Sequence, residues 1–300
     1  TGDALYRQPI EKVIVSLTRI EPPLHPDGPE KILKDFGIET EEFKEQELLD
    51  FLSSRVPNND TTEGIFAPWA FWKKDFQEIG GHDVIFAPQS KEDTDIFNRF
   101  HLNGIKFIQT WGGCVYHMTC RGSRFADGAQ RNPNGEVFMK NRETDEWLTQ
   151  NKKSTREFIR KWGHFCKHDE LMKPIVPSKY DIGICIKNCS NEVLEVLEPW
   201  CNIIYTDANI DTYISKESSK TSFDLSARVK NIDTQYTQGA HDIILEIDAA
   251  RFYNTDMQVI EQISEIISDS ADIGEFELGN IKLLINDLSK YEKDLIVCQN

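Results

Sequence analysis

An acidic pair, Glu92 and Asp93, follows the paired glycines Gly80 and Gly81 and precedes a histidine, His117, within one stretch of the chain. A carboxylate at the start of a helix is kept charged by the helix dipole, whereas a second carboxylate beside it raises one pKa of the pair. A group under such opposing influences can accept a proton from a hydroxyl. The pattern therefore predicts a general base at Asp93, with a plain helix cap as the alternative interpretation.

The residues around this pair can supply the rest of a site. His117 ends a predicted strand, where a neutral imidazole can ligate Mn²⁺ or a similar ion; a structural or surface histidine is the alternative. Arg121 and Arg124 follow it, and their guanidinium groups suit phosphate oxygens unless they are simply solvated. Trp72 offers an aromatic face that can stack on a sugar, with core packing as the alternative.

The tripeptide Asp93-Thr94-Asp95 spells an Asp-x-Asp, a pattern that often holds a divalent cation beside a diphosphate. If Asp93 caps a helix, however, Asp95 lies in the first turn and need not converge with it. We therefore interpret the tripeptide as a poor match to a nucleotide-binding motif.

Periodicity and turn residues predict the elements that position these side chains. Asp93 or Thr94 is expected to cap a helix that stops at Gly104, and two strands joined through Gly112-Gly113 follow it. The other predicted strands cover 13–17, 181–187, 202–206, 242–247 and 276–284, and the other predicted helices cover 40–54, 144–162, 191–197 and 257–267.

Composition narrows the class of protein. The formal net charge of -16 argues against non-specific binding to nucleic acid. The seven cysteines are odd in number and form no CxxC pair, which favours reduced thiols and a cytoplasmic location. No apolar run approaches the roughly 18–20 residues that a transmembrane helix needs, and no signal peptide is visible. Because the chain starts at Thr1, we expect it to be part of a longer protein.

Residues 60–125 resemble the second half of the catalytic domain of family 2 glycosyltransferases, the inverting GT-A type. The resemblance is carried by an ordered set of motifs: Phe71-Trp72-Lys73-Lys74-Asp75-Phe76, Ile79-Gly80-Gly81-His82-Asp83, Glu92-Asp93-Thr94-Asp95, Gly104-Ile105-Lys106 and Val115-Tyr116-His117. It does not reach residues 175–300.

The resemblance implies a nucleotide-sugar donor, a glycan or other hydroxyl acceptor, and a single displacement with inversion. Asp93 would be the catalytic base and Glu92 its motif partner, while His117 would be the third ligand of a divalent cation, Mn²⁺ or Mg²⁺. Gly80 and Gly81 would shape the loop beside the sugar and the acceptor. Trp72, Arg121 and Arg124 would complete the substrate site.

We therefore expect an α/β protein with a partial, Rossmann-like GT-A domain over 1–125, a basic helical connector over 126–174 and a smaller α+β sandwich of unknown role over 175–300. The family's nucleotide-binding strands and its true Asp-x-Asp lie in a first half for which there is no room before residue 18, so the isolated chain is expected to be inactive. One alternative is a non-catalytic interaction or scaffold module that retains the fold. Another is a hydrolase that uses Cys114 or Cys120 with His117, although no nucleophile motif supports it.

Overall fold

A computed structural model of the protein describes residues 12–55, 59–118, 129–139, 144–237, 239–270 and 272–298. The strands within these ranges are β1 (Val13–Glu21), β2 (Lys31–Leu33), β3 (Thr61–Thr62), β4 (Trp69–Ala70), β5 (Lys106–Tyr116), β6 (Ala129–Arg131), β7 (Val137–Met139), β8 (Ile182–Lys187), β9 (Ile203–Thr206), β10 (Val229–Asn231), β11 (Ile243–Asp248), β12 (Gly274–Leu278) and β13 (Ile281–Ile285). The α-helices are α1 (Glu45–Ser54), α2 (Lys73–Glu78), α3 (Glu92–Leu102), α4 (Asp145–Trp162), α5 (Asn191–Leu197), α6 (Ile210–Glu217), α7 (Leu225–Arg228), α8 (Ile232–Gln235), α9 (Asn254–Glu261) and α10 (Ile263–Ser270). In the part of the chain described, no helix combines the length and apolarity needed to cross a bilayer.

The chain divides into two compact units that are not continuous in sequence. Unit 1 comprises Thr1–Gly81, Asn103–Gln150 and Lys167–Ile175, and unit 2 comprises His82–Leu102, Asn151–Cys166 and Val176–Asn300. This division differs from the expected boundaries at 125 and 174, because α3 and most of α4 group with the C-terminal strands. Within unit 2, the aromatic cluster of Phe86, Phe158 and Trp162 joins these segments.

Unit 1 is built on a five-stranded sheet in the order β2-β1-β5-β3, with β4 also paired to β1. Strand β1 is buried along nearly its whole length and runs parallel to β5. The register shifts between Leu17 and Thr18, opposite the glycines of β5. A Cβ on Gly113 would lie 2.7 Å from the Leu17 side chain, so glycine permits the close approach. The two strands predicted around Gly112-Gly113 are thus one irregular strand.

Unit 2 is built on a six-stranded sheet in the order β10-β9-β8-β11-β13-β12. The first four strands are mutually parallel, and β13 pairs antiparallel with β11 and β12. The main core lies between one face of this sheet and helices α4, α5, α6, α7, α9 and α10. Helices that alternate with parallel strands make this an α/β arrangement, in place of the α+β sandwich that the sequence predicts.

In unit 2 one local prediction is wrong and one helix was not predicted, each for an identifiable reason. The stretch 276–284 is a hairpin, because Gly279 turns the chain at φ +64° between β12 and β13. The polar stretch 211–222 contains helix α6, whose N-cap Asn209 accepts a hydrogen bond from the Thr212 amide and whose Tyr213 is buried. Helix α6 was missed because a single buried aromatic residue gives little periodicity.

A buried carboxylate, Glu198, ties α4 to the sheet of unit 2. It accepts hydrogen bonds from Arg160 at 2.6 Å, from Arg228 at 2.6 Å and from the Tyr213 hydroxyl at 3.1 Å. Burial by itself would raise the pKa of Glu198, but the charges of Arg228 and Arg160 outweigh it and lower that pKa to about 2. The carboxylate is therefore ionised at neutral pH.

We predict that Glu198→Gln destabilises unit 2 by about 3–5 kcal/mol at pH 7, because Arg228 loses its buried counter-ion and Arg160 keeps only Glu157. The folded-state pKa is depressed, so the stabilisation of about 3 kcal/mol is present above pH 4.5 and is lost as the pH falls towards 2. Urea denaturation as a function of pH measures both effects. The exposed Glu192→Gln is the control and should change little; equal losses in the two variants would contradict the prediction.

Candidate functional site

The histidine singled out by the sequence lies at the carboxyl ends of two adjacent parallel strands of unit 1. His117 directly follows β5, and its amide donates to the Ile20 carbonyl of β1 at 2.8 Å. Its Nδ1 lies 3.0 Å from Oε2 of Glu21, the last residue of β1. The Glu21 side chain is fully buried, whereas that of His117 is 42% exposed. The strand pairing therefore brings together two residues that are 96 positions apart.

Glu21 is the centre of a buried group of charges. Arg19 contacts it at 3.3 Å and Lys31 at 3.0 Å, and Glu30 takes a second contact with each of these cations. Burial would raise the pKa of Glu21, but the hydrogen bond of His117 and the contact with Lys31 outweigh it and lower the pKa to about 2. Glu21 is thus a permanently charged acceptor for the imidazole.

This geometry fits a metal ligand at His117. A carboxylate that accepts from Nδ1–H leaves the Nε2 lone pair of a neutral imidazole available, and histidines that bind metals are commonly held in this way. His117 would supply one ligand only. The described residues contain one group of three potential ligand atoms, Asp83, Asp95 and Cys298 in unit 2, and His117 is not among them.

That group of three is not suited to a metal ion, because lysine already occupies it. The Lys161 ammonium lies 2.7 Å from both Asp83 and Asp95. Asp95 is further paired with Arg99 at 2.8 Å and accepts from the Trp162 indole at 2.9 Å. Two carboxylates therefore face two cations, and burial raises the pKa of the Cys298 thiol. The same contacts hold Asp95 in the interior, so it forms no joint ligand pair with Asp93.

The acidic pair opens helix α3 in unit 2. The helix begins at Glu92, one or two residues before the expected cap at Asp93 or Thr94, so Asp93 lies inside the first turn. Ser90 and Lys91 precede it with φ values of 83° and 74°. Two consecutive non-glycine residues in the left-handed region are strained, and such strain is concentrated at functional sites. The sequence carried no signal for this conformation.

Both acids bind protons more tightly than usual. Burial is the main cause of the raised pKa of Glu92, and the charge of Asp93 raises it further. Hydrogen bonds from the backbone amides of Glu92 and Ser90 act in the opposite direction. Burial also raises the pKa of Asp93, against the charge of His82. The Asp93 side chain keeps an exposed surface, so its desolvation is partial. A raised pKa makes a carboxylate a better proton acceptor, provided that it stays ionised.

The paired glycines end helix α2 in unit 1. Gly80 and Gly81 have φ values of 79° and 76°, and the Gly81 amide donates to the Phe76 carbonyl at 3.0 Å. Only glycine takes up two such conformations in succession without strain, which is reason enough for the pair. Trp72 is half-buried immediately before this helix. A role for these three residues beside a sugar stays a prediction.

Arg121, Arg124 and Cys120 lie outside the described residues, and their predicted roles stay predictions as well. Glu21 was not given a role by sequence reasoning. Its position at the end of a buried strand was visible, but nothing local indicated that His117 would be its partner.

No protein-family model matches this sequence, and no curated protein matches it in a sequence search.

We predict that neutral His117 carries its proton on Nδ1, because that nitrogen lies against Glu21. Long-range ¹H–¹⁵N correlation spectra at about pH 9, well above the ordinary histidine pKa of about 6.5, should show this tautomer. In Glu21→Gln the preference should weaken, since an amide is a poorer acceptor than a carboxylate. A dominant Nε2–H signal in the unsubstituted protein would contradict the assignment.

Proposed function

We propose that this chain carries catalytic residues of a metal-dependent, inverting glycosyltransferase with a GT-A fold. The observation that carries the proposal is the hydrogen bond between His117 and the buried Glu21, because it suits a metal-ligating imidazole at a strand end. The raised pKa values of Glu92 and Asp93 add support from unit 2. The choice of family rests on the resemblance of the ordered motifs in residues 71–117 to family 2 glycosyltransferases.

The proposed reaction is a single displacement. The acceptor oxygen forms a bond to the anomeric carbon while the bond from that carbon to the diphosphate oxygen breaks, and the hydroxyl proton passes to Asp93. Burial keeps Asp93 basic, although the charge of His82 opposes this effect. His117 would hold the divalent cation through Nε2, and Glu21 orients the ring. Mn²⁺ or Mg²⁺, when bound, would neutralise charge on the leaving diphosphate.

In the protein that contains this chain, Asp93→Asn should lower sugar transfer by about 10²–10⁴-fold without loss of folding, because the amide cannot accept the proton. The assay uses UDP- and GDP-sugars with Mn²⁺ and an acceptor that supports turnover. Asp211→Asn is the matched control, since Asp211 is also exposed in the first turn of a helix of unit 2. Unchanged transfer by Asp93→Asn would favour a scaffold instead.

The metal ligand can be tested without turnover. Added Mn²⁺ should broaden the ring resonances of His117 before those of the exposed His168. The substitution Glu21→Gln should weaken this effect by about 10–100-fold in Mn²⁺ concentration, as is usual when the partner of a ligating histidine is lost. Equal broadening of both histidines would remove His117 from the proposed site.

A further inference from the structure

A cavity that lies entirely within unit 2 is lined by more basic than acidic side chains. Its volume is about 430 Å³. The cations that line it are Arg160, Lys161, Lys179 and Arg228, and the polar and apolar groups beside them include Ser222, Asn202, Phe223 and Leu295. A cavity of this size accommodates a small organic molecule.

Three of the four cations already have carboxylate partners. Arg160 and Arg228 share Glu198, and Lys161 is held by Asp83 and Asp95. Lys179 differs, because among the described residues no carboxylate forms an ion pair with its ammonium group. Of the acids that line the cavity, Asp83 is occupied by Lys161 and Asp294 is exposed. Lys179 is therefore the cation of this cavity that has no carboxylate of the described residues in direct contact, although the charge of Asp181 acts on it without an ion pair.

The backbone of Lys179 is also held in place. Its backbone amide donates to Glu292 at 3.2 Å, and its carbonyl accepts from the Tyr291 amide at 2.8 Å. The side chain passes over Gly163, where an added Cβ would lie 3.3 Å from Nζ. Burial lowers the pKa of Lys179 to about 8, with a further contribution from the charge of Arg228. A bound anion would relieve both effects.

Arg228 offers a second donor to the same space. It uses Nε on the Glu198 carboxylate and Nη2 on the Glu198 and Cys201 carbonyls. Its Nη1 makes no hydrogen bond to any other residue within the described ranges. The Phe223 ring lies 5.4 Å from the guanidinium carbon.

We propose that this cavity binds a small organic anion that bears a phosphate or a carboxylate. Lys179 supplies the balancing charge, Arg228 a guanidinium N–H, and Ser222 and Asn202 neutral donors. The apolar part of the ligand packs against Phe223 and its neighbours. The inference uses no residue of the proposed transfer reaction and stands independently of it.

Calorimetric titration at pH 7 with inorganic phosphate, pyrophosphate and benzoate tests the proposal. We expect saturable binding of at least one of them, with a dissociation constant on the order of 1 mM. Comparing the affinities for phosphate and pyrophosphate with the affinity for benzoate shows whether the cavity prefers a phosphate or a carboxylate. Lys179→Met should weaken binding by about 10–100-fold, the effect of losing a charged hydrogen-bond donor, while Lys179→Arg should retain more of it.

Lys187→Met is the matched control, because Lys187 lines a different groove of unit 2 of about 760 Å³. Equal weakening by the Lys187 and Lys179 substitutions, or no saturable binding of any of the three anions, would overturn the proposal. Circular dichroism of each variant checks that unit 2 is folded. If Lys179→Met unfolds unit 2, the test uses the unsubstituted protein. Added phosphate should then protect Lys179 from an acylating reagent, and no protection would overturn the proposal.

Binding should also weaken as the pH rises through about 8, because the ammonium of Lys179 loses its proton there. The charged or titratable groups that line the same cavity are Arg160, Lys161, Arg228, Asp83, Asp294 and Cys298, and Asp181, Cys201 and Glu292 also act on Lys179 or contact its backbone. The arginines stay charged throughout this range, and burial raises the pKa of Cys298, so neither accounts for a loss near pH 8. Affinity that is constant from pH 7 to 9.5 would contradict the role of Lys179.

Discussion

A carboxylate removed from water must be surrounded by cations and hydrogen-bond donors, since an unpaired buried charge costs several kcal/mol. Both units of this protein are organised around that constraint. In unit 1 the buried Glu21 gathers Arg19, Lys31 and His117 at the end of the central strand. In unit 2 Glu198 gathers two arginines between α4 and the sheet. Each centre joins elements that are distant in sequence, so these charges specify the arrangement as well as stabilise it.

The same constraint prepares the groups that could do chemistry. Glu21 is ionised and contacts Nδ1 of His117, whose side chain is partly exposed, so that Nε2 is not used in this contact. In unit 2, Asp95 anchors α3 through Arg99, Lys161 and Trp162. The first turn of that helix is therefore held in place while its acids have raised pKa values. Rigid support beneath a reactive group is what a functional site needs.

Charge balance also distinguishes charged side chains that have a structural partner from those that are available to a ligand. The group of Asp83, Asp95 and Cys298 resembles a metal site by distance alone, but Lys161 fills it. Among the described residues Lys179 has no such partner, and burial, together with the charge of Arg228, lowers its pKa. The ion-pair partners of each buried charged side chain therefore indicate a ligand site better than the distances between possible ligand atoms do.

The sequence by itself determined the type and approximate position of most of the longer elements, because glycine turns and hydrophobic periodicity are local properties. Helices α4 and α5 and strands β1, β8, β9 and β11 lie close to where the pattern predicts them. The sequence also identified Glu92, Asp93 and His117 as candidate functional residues. Only the tertiary structure decided that Glu21 contacts His117, that Asp95 is consumed by an ion-pair network and that α3 belongs with the C-terminal unit. These are pairings across about 60 to 100 residues, and the energy that selects them comes from burying particular charges together, which no local window of sequence contains.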